Sequence, residues 1–218
     1  MFTVSVQKEY ASKSGGYFYP GMVKVDGALS FFPRVNQSED GNIKVTIPSQ
    51  VSILSKKVSD DMYQAFCDAV KGLHEATDKT QPVEVSFGDE KIMSSVESHL
   101  TPEKDGSVPT VYESSKYNSY ANITFDFSDE KGEKMFGIDT TLRARSDGTG
   151  KFISLPSRKG TDGNFYKEVS CSREVSDLLN QKGLALYDAE LNKGRNNKER
   201  DAGQETAQKP AKKSTVSR

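Results

Sequence analysis

Arg158 and Lys159 are the residues of this chain best placed to meet a ligand. The apolar run Phe152, Ile153, Leu155 precedes them and has strand-forming character. Pro156 ends that strand because it has no N–H for the ladder. Gly160 and the turn pair Asp162-Gly163 follow, and Phe165, Tyr166 and Val169 suggest a returning strand. The reading is strand, basic turn, strand. A cationic loop raised off a sheet can bind phosphate. Arg143 and Lys167 extend the patch if they share its face, and Phe165 or Tyr166 could stack on a base. The same residues also read as a solvated turn with core or edge aromatics.

Other chemistry finds little support. His74 and His99 stand in unrelated polar contexts and read as surface histidines. Cys67 and Cys171 make neither a disulfide framework nor a metal set. No glycine-rich phosphate loop is present, and the acidic residues are scattered. The sequence therefore argues against an enzyme, a cofactor or a metal. Formal net charge is −1 over 218 residues, which does not suit a generally basic nucleic-acid binder. The balance hides an asymmetry. From Asn192 onward eight basic residues stand against three acidic ones, a net of +5, which leaves −6 on the rest. No apolar stretch approaches the roughly 20 residues that span a bilayer, and the first ten residues lack the apolar segment of a signal peptide. A cytoplasmic location with no membrane partner is expected.

The elements that must position the loop follow from periodicity. Phe2, Val4 and Val6 alternate with polar residues, as do Ile43, Val45 and Ile47. Pro20-Gly21 reads as a turn or a strand entry, with a strand over 22–25. Asp26-Gly27 is a hairpin signal, and Pro33 puts the next strand at an edge or bulge. Ser59 is the expected cap of a helix carrying Met62, Phe66, Ala69, Val70 and Leu73. Val83, Val85 and Phe87 suggest a strand opening a second unit. Residues 89–117 read as a long polar insertion with a short helix near 92–99. Strands are expected at 120–127 and 135–145. Ser172 caps a second helix with Val175, Leu178, Leu179, Leu186 and Tyr187 inward, and Gly183 bends or stops it. With 34% hydrophobic and 28% charged residues, two small cores suit the chain better than one large one.

The two halves share an order of parts. Met22 to Asp26 answers Asn122 to Asp126, Arg34 answers Arg143, Asp40-Gly41 answers Asp147-Gly148, and Ile47 to Ser49 answers Leu155 to Ser157. Gln50 stands where Arg158 stands, so the first copy lacks the basic loop. The period is too long for a solenoid and suggests tandem copies.

Leu155, Pro156, Ser157, Arg158 and Lys159, followed by Asp162, Gly163 and Phe165, resemble the signature of the SpoVG family of septation regulators, named for stage V sporulation protein G. Ala121 to Asp126 is similar to that family's first long strand, Leu142-Arg143 to an Ile-Arg pair in its pattern, and Val23 to Leu29 to its Leu-Asp-Gly-Ala/Glu-Phe strand. Val169 to Cys171 departs from the His-Pro-Ile that the family has before its helix. The likeness covers about residues 118–190. It implies an α+β fold of two tandem SpoVG-like units, each an antiparallel β-meander packed against one C-terminal helix. Residues 1–81 form the degenerate first unit, 82–191 the second, and 192–218 a disordered basic tail. Because such proteins dimerise through their sheets, a tandem copy implies an intramolecular pseudodimer, with sheet edges open to further self-association. The implied function is a nucleic-acid-binding regulator, for DNA or RNA, using Arg143, Arg158, Lys159 and Lys167. The alternative is a non-enzymatic protein-interaction module, encoded by a phage or mobile element, that recruits partners by strand addition.

Overall fold

The computed structural model describes residues 1–12, 15–88, 91–107, 109–113 and 119–207, with side chains as far as Gly194. It is a mixed α+β structure of antiparallel sheets and two helices. The first half runs β1 (Phe2–Val6), β2 (Tyr10–Ala11), β3 (Tyr17–Val25), β4 (Leu29–Phe31), β5 (Arg34–Gln37), β6 (Ile43–Thr46), β7 (Val51–Ile53), α1 (Lys56–Glu75) and β8 (Val83–Phe87). The second runs β9 (Ser95–Leu100), β10 (Ser119–Ser128), β11 (Lys134–Ala144), β12 (Lys151–Ser154), β13 (Ser157–Lys159), β14 (Phe165–Lys167), β15 (Val169–Cys171) and α2 (Arg173–Ala207).

Strand alternation sets the faces. Phe2, Val4 and Val6 of β1 and Tyr19, Val23 and Val25 of β3 turn inward. In the second half, Ile123, Phe125 and Phe127 of β10 meet Phe136, Ile138 and Thr140 of β11 on the inner face. Asp26-Gly27 makes the β3–β4 hairpin with φ values of 46° and 70°, the left-handed pair that a type I′ turn needs. The Asp26 carboxylate accepts the backbone N–H groups of Ile92 (2.9 Å) and Met93 (2.8 Å), fastening the passage between the halves.

The halves exchange strands. β7 pairs with β11, placing Val51 opposite Ile138, while β15 pairs with β4, placing Val169 opposite Phe31. The flanking bonds match: Asp139 N–H donates to Gln50 O (2.8 Å) and Phe32 N–H to Glu168 O (3.1 Å). Likewise Leu54 N–H donates to Met135 O (2.9 Å) and Ser172 N–H to Ala28 O (2.7 Å). Each three-residue strand thus closes an edge of the other half's sheet before its own helix begins.

One core results, not two. Phe136, fully buried, lies 4.5 Å from Phe127, 6.3 Å from Phe2 and 6.4 Å from Phe31 between ring centroids, so aromatics of both halves meet on one ring. The buried residues form a single cluster from Phe2 to Tyr187.

Several expectations are corrected. β3 runs unbroken through Pro20-Gly21, because Pro20 lies where β3 changes neighbours from β1 to β2, and its carbonyl accepts from Gln7 N–H. Pro33 does interrupt the next strand, between β4 and β5. The cap of α1 is Ser55, whose hydroxyl accepts from Val58 N–H; Ser59 is already helical, and Asp60 and Asp61 pair with Lys56 and Lys57 one turn back. β8 pairs with β1, so it completes the first sheet and the first half extends past residue 81. The insertion 89–117 contains a strand, β9, and no helix among its described residues; its residues 89, 90, 108 and 114–117 lie outside the description. Gly183 does not stop α2. A Cβ there would sit 2.6 Å from Ile153 Cδ1, so the glycine lets the helix close on β12. The helix also continues to Ala207, past the expected start of a disordered tail at 192. That stretch holds Glu, Lys, Arg, Gln and Ala and meets no proline until Pro210. Residues 208–218 of the tail lie outside the description.

Phe136→Ala is expected to destabilise the protein by about 3–5 kcal/mol. Urea unfolding followed by far-ultraviolet circular dichroism should show one transition for both halves. Two separate transitions in the parent protein would contradict the shared core.

Candidate functional site

The chain leaves the sheet at Pro156 and returns to it at once. Pro156 O accepts from both Glu168 N–H (3.0 Å) and Val169 N–H (3.4 Å), so residues 157–167 form an excursion whose ends meet at one carbonyl. In the first half Val51 N–H bonds Pro48 O directly (2.9 Å) with no excursion. The basic loop is therefore a two-stranded hairpin of its own, β13 with β14, paired to neither sheet.

Its turn is built locally. Gly163 takes φ 83°. Asp162 Oδ1 accepts from Asn164 N–H (3.1 Å), and Asp162 Oδ2 accepts from the Tyr166 hydroxyl (2.6 Å) and from Asn164 Nδ2 (2.9 Å). These bonds, that of the Tyr166 hydroxyl foremost, hold the Asp162 carboxyl below its ordinary pKa. Gly160 is required by closeness: a Cβ would lie 2.6 Å from the Tyr166 ring.

Cross-strand pairing sorts the side chains. Ser157 faces Lys167, Arg158 faces Tyr166 and Lys159 faces Phe165. Arg158 and Tyr166 therefore share one face, and Lys159, Phe165 and Lys167 the other. The Arg158 guanidinium lies 5.4 Å from the Tyr166 ring centroid and its Nε 3.9 Å from Glu168 Oε1, a loose ion pair on a 45% exposed side chain. Phe165 is 73% exposed and Tyr166 44%. Neither is the core aromatic that strand alternation would allow.

Two clefts flank the hairpin. On one side a cleft of about 340 Å³ lies between Arg158, Lys167 and Glu168 and the first half's Arg34, Phe18 and Phe32. On the other a cleft of about 690 Å³ includes Phe165, Lys167, Phe152, Cys171 and the start of α2 at Arg173. Burial pushes the Cys171 thiol pKa up, with the nearby Lys167 charge opposing it. Among the described residues neither Arg34 nor Lys167 has an ion-pair partner.

Of the expected site residues, Arg158, Lys159 and Lys167 stand on the hairpin. Arg143 is exposed on β11 opposite Phe152, and Ser157 is five residues further along from Phe152. That is about 17 Å of extended chain. Arg34 was matched to Arg143, and pairing corrects this. Val23 and Phe125 hold equivalent places, each opposite the residue that meets the exchanged strand, so Arg34 corresponds to Thr141 and Asn36 to Arg143. Gln50 likewise corresponds to Glu168, since both carbonyls accept from the strand opposite, and not to Arg158. Residue order does not mark Arg34 as lining a cleft, because Arg158, Lys167 and Glu168 across it come from the other half.

His74 is tied to Tyr19 (2.9 Å) and Gln37 (3.1 Å) through Nε2, and His99 Nδ1 lies 3.9 Å from the Asp126 carboxylate. The buried Tyr19 hydroxyl has its pKa raised to about 12, chiefly by burial. Among the described residues no group of three or more His, Cys, Asp and Glu is placed to hold a metal ion. No helix among them is long and apolar enough to cross a membrane.

Comparison with known proteins returns no match, whether to a family model, a curated protein or a solved structure.

The lowered Asp162 pKa gives a signed prediction. Its contribution to hairpin order is fully present above the ordinary carboxylate range near pH 4. It is lost as pH falls through the depressed value. Carboxyl carbon NMR should show Asp162 titrating below its ordinary value, and Tyr166→Phe should move that titration upward. An unmoved titration would mean that the phenol is not its partner.

Proposed function

We propose that this chain is a nucleic-acid-binding regulatory protein of SpoVG type, built as two tandem copies of one sheet-and-helix unit that pair within the chain as a pseudodimer. The hairpin 157–167 carries this reading. It stands clear of both sheets, and it presents Arg158, Lys159 and Lys167 together with the exposed rings of Phe165 and Tyr166. Cations that follow a phosphate backbone beside aromatic faces that accept bases are what single-stranded nucleic acid requires. Asp162 and Glu168 are the acidic residues of the stretch 157–168, and Asp162 is engaged by its own turn.

The matched strand exchange supports the tandem reading. Both halves pass from a proline, through a three-residue strand given to the other sheet, into a serine-capped helix. The first copy lacks the hairpin, so the second is the one that offers it. The acidic remainder of the chain repels a polyanion elsewhere and turns the encounter toward the finger. Nothing in the site calls for a catalytic step, and the role proposed is binding.

Fluorescence anisotropy with labelled single-stranded DNA, RNA and duplex DNA across a salt series tests this. Binding should weaken with salt, with a slope near −0.7 per phosphate contacted on single strands and −0.9 on duplex. Arg158→Glu with Lys159→Glu should flatten the slope by about 1.4 units on single strands. Phe165→Ala should weaken single-strand binding by about fivefold or more, one stacked base being worth about 1–3 kcal/mol, and should leave the unfolding midpoint unchanged. No binding to any of the three would remove the proposal.

A further inference from the structure

We infer that the binding site is composite: the cleft between the hairpin and the first half takes one nucleotide of a single strand, with its phosphate between Arg34 and Arg158 and its base against Phe18 and Phe32. This rests on the nucleic-acid reading above and goes beyond it, since it gives the half without a finger a direct part in binding and selects single strands.

The geometry supplies the parts. Arg34 lies on β5 opposite Pro20 and Thr46, on the outer face of the first sheet. Arg158 reaches the same cleft from the hairpin face it shares with Tyr166. Lys167 stands at the rim, and Glu168 is the one acidic residue in the lining. Three cations against one carboxylate leave a net of two positive charges, matched to a phosphate and its neighbour. Glu168 is held only loosely by Arg158, at 3.9 Å, so a phosphate can replace it at the guanidinium.

The remaining lining suits a base. Phe18 and Phe32 are half-buried rings exposing part of their surface to the cleft, over a floor that includes Pro20, Pro33 and Pro48. Proline has no N–H, so this floor is apolar and short of donors, and it stacks a base without reading its edge. Thr46 and Ser49 supply hydroxyls at the margin for sugar or phosphate. The volume, about 340 Å³, lies at the small end for ligand sites and is of the order of one nucleotide. A cleft of that volume takes one base and not a pair. The expected preference is single strand over duplex, with little sequence discrimination.

The site is put together by the strand exchange. β15 pairs with β4, and Glu168, which precedes it, bonds Phe32 through its carbonyl. The hairpin root is thereby pinned beside Phe32 and one residue from Pro33, which puts Arg158 across the gap from Arg34.

The test is equilibrium anisotropy with a labelled oligothymidine and with a duplex of equal length, on the full chain. Arg34→Glu should weaken oligothymidine binding about tenfold or more and flatten the salt slope by about 0.7. Lys104→Glu, the same charge change on an exposed loop, should do neither. Arg34→Gln, a milder change, should weaken binding in the same direction and guards against misfolding, which circular dichroism reports. If the parent protein binds and Arg158→Glu weakens it while Arg34→Glu matches Lys104→Glu, the composite cleft is overturned and the hairpin reading stands. If the parent binds no nucleic acid, both fall. Duplex binding as tight as single-strand binding, or equal binding of polyglutamate, would overturn the assignment of the occupant.

Discussion

The structure depends on two short strands being used away from home. A sheet edge is a row of unpaired N–H and C=O groups that must be paired, covered or left to water. β4 and β11 would each present such a row at the centre of the molecule. β15 closes the first and β7 the second, with matching registers and matching flanking bonds. Three residues cannot hold a strand by themselves. They hold here because each is anchored at its front by the residue after a proline turn and at its back by a helix cap. The exchange also brings the inner faces of both sheets to one place, where Phe136 meets Phe2, Phe31 and Phe127. Neither half keeps a complete core or a complete set of pairings without the other.

The hairpin is a consequence of the same arrangement. Its two ends converge on Pro156 O, so adding residues 157–167 between Pro156 and β15 costs the sheet no ladder bond. An insertion of that kind is well tolerated, because closing a loop of this size costs little and grows slowly with length. The hairpin is free to carry polar chemistry that no sheet position could. Its one deep commitment is the Asp162 turn, which binds the Tyr166 hydroxyl; Tyr166 in turn underlies Arg158. The cation is thus aimed by a ring that is itself fastened, while most of its N–H donors stay available.

Much of this was legible in residue order. Alternation found β1, β6, β8 and β10, the strand-forming run Phe152, Ile153, Leu155 found β12, and the stripe of Met62, Phe66, Ala69, Val70 and Leu73 found the buried face of α1. The finger, with Pro156, Arg158, Lys159 and the Asp162-Gly163 turn, was found too. The misses have physical causes. β7 and β15 are three residues long, too short for a period of two to show. β9 buries only Val96 fully, so it reads as polar loop. The order of parts shared by the halves sets Asp26 against Asp126, two residues away from the place the pairing gives it. A shift of two preserves which face every side chain takes, so hydrophobic pattern cannot detect it; only the pairing partners can. That shift left Arg34 matched to Arg143 in place of Thr141, while the hairpin inserted between Pro156 and Glu168 hid the relation of Gln50 to Glu168. Arg34 had no local signal as a site residue, because what gives it meaning, the Arg158 side of the hairpin, is more than a hundred residues away in the chain and adjacent only through the exchange.

Asymmetry between the halves has a physical use. A hairpin on each half would make the two halves alike. Here one half has the hairpin, and Arg34 with the rings of Phe18 and Phe32 lines the cleft from the other half. A second hairpin in the first half, leaving the sheet after Pro48, would start from the floor of this cleft, since Pro48 and Ser49 line it. It would fill the space that Arg158 now overlooks. The direct bond from Val51 N–H to Pro48 O keeps that space open. An open cleft here and a second hairpin leaving the sheet at Pro48 compete for one place, because Pro48 and Ser49 line the cleft.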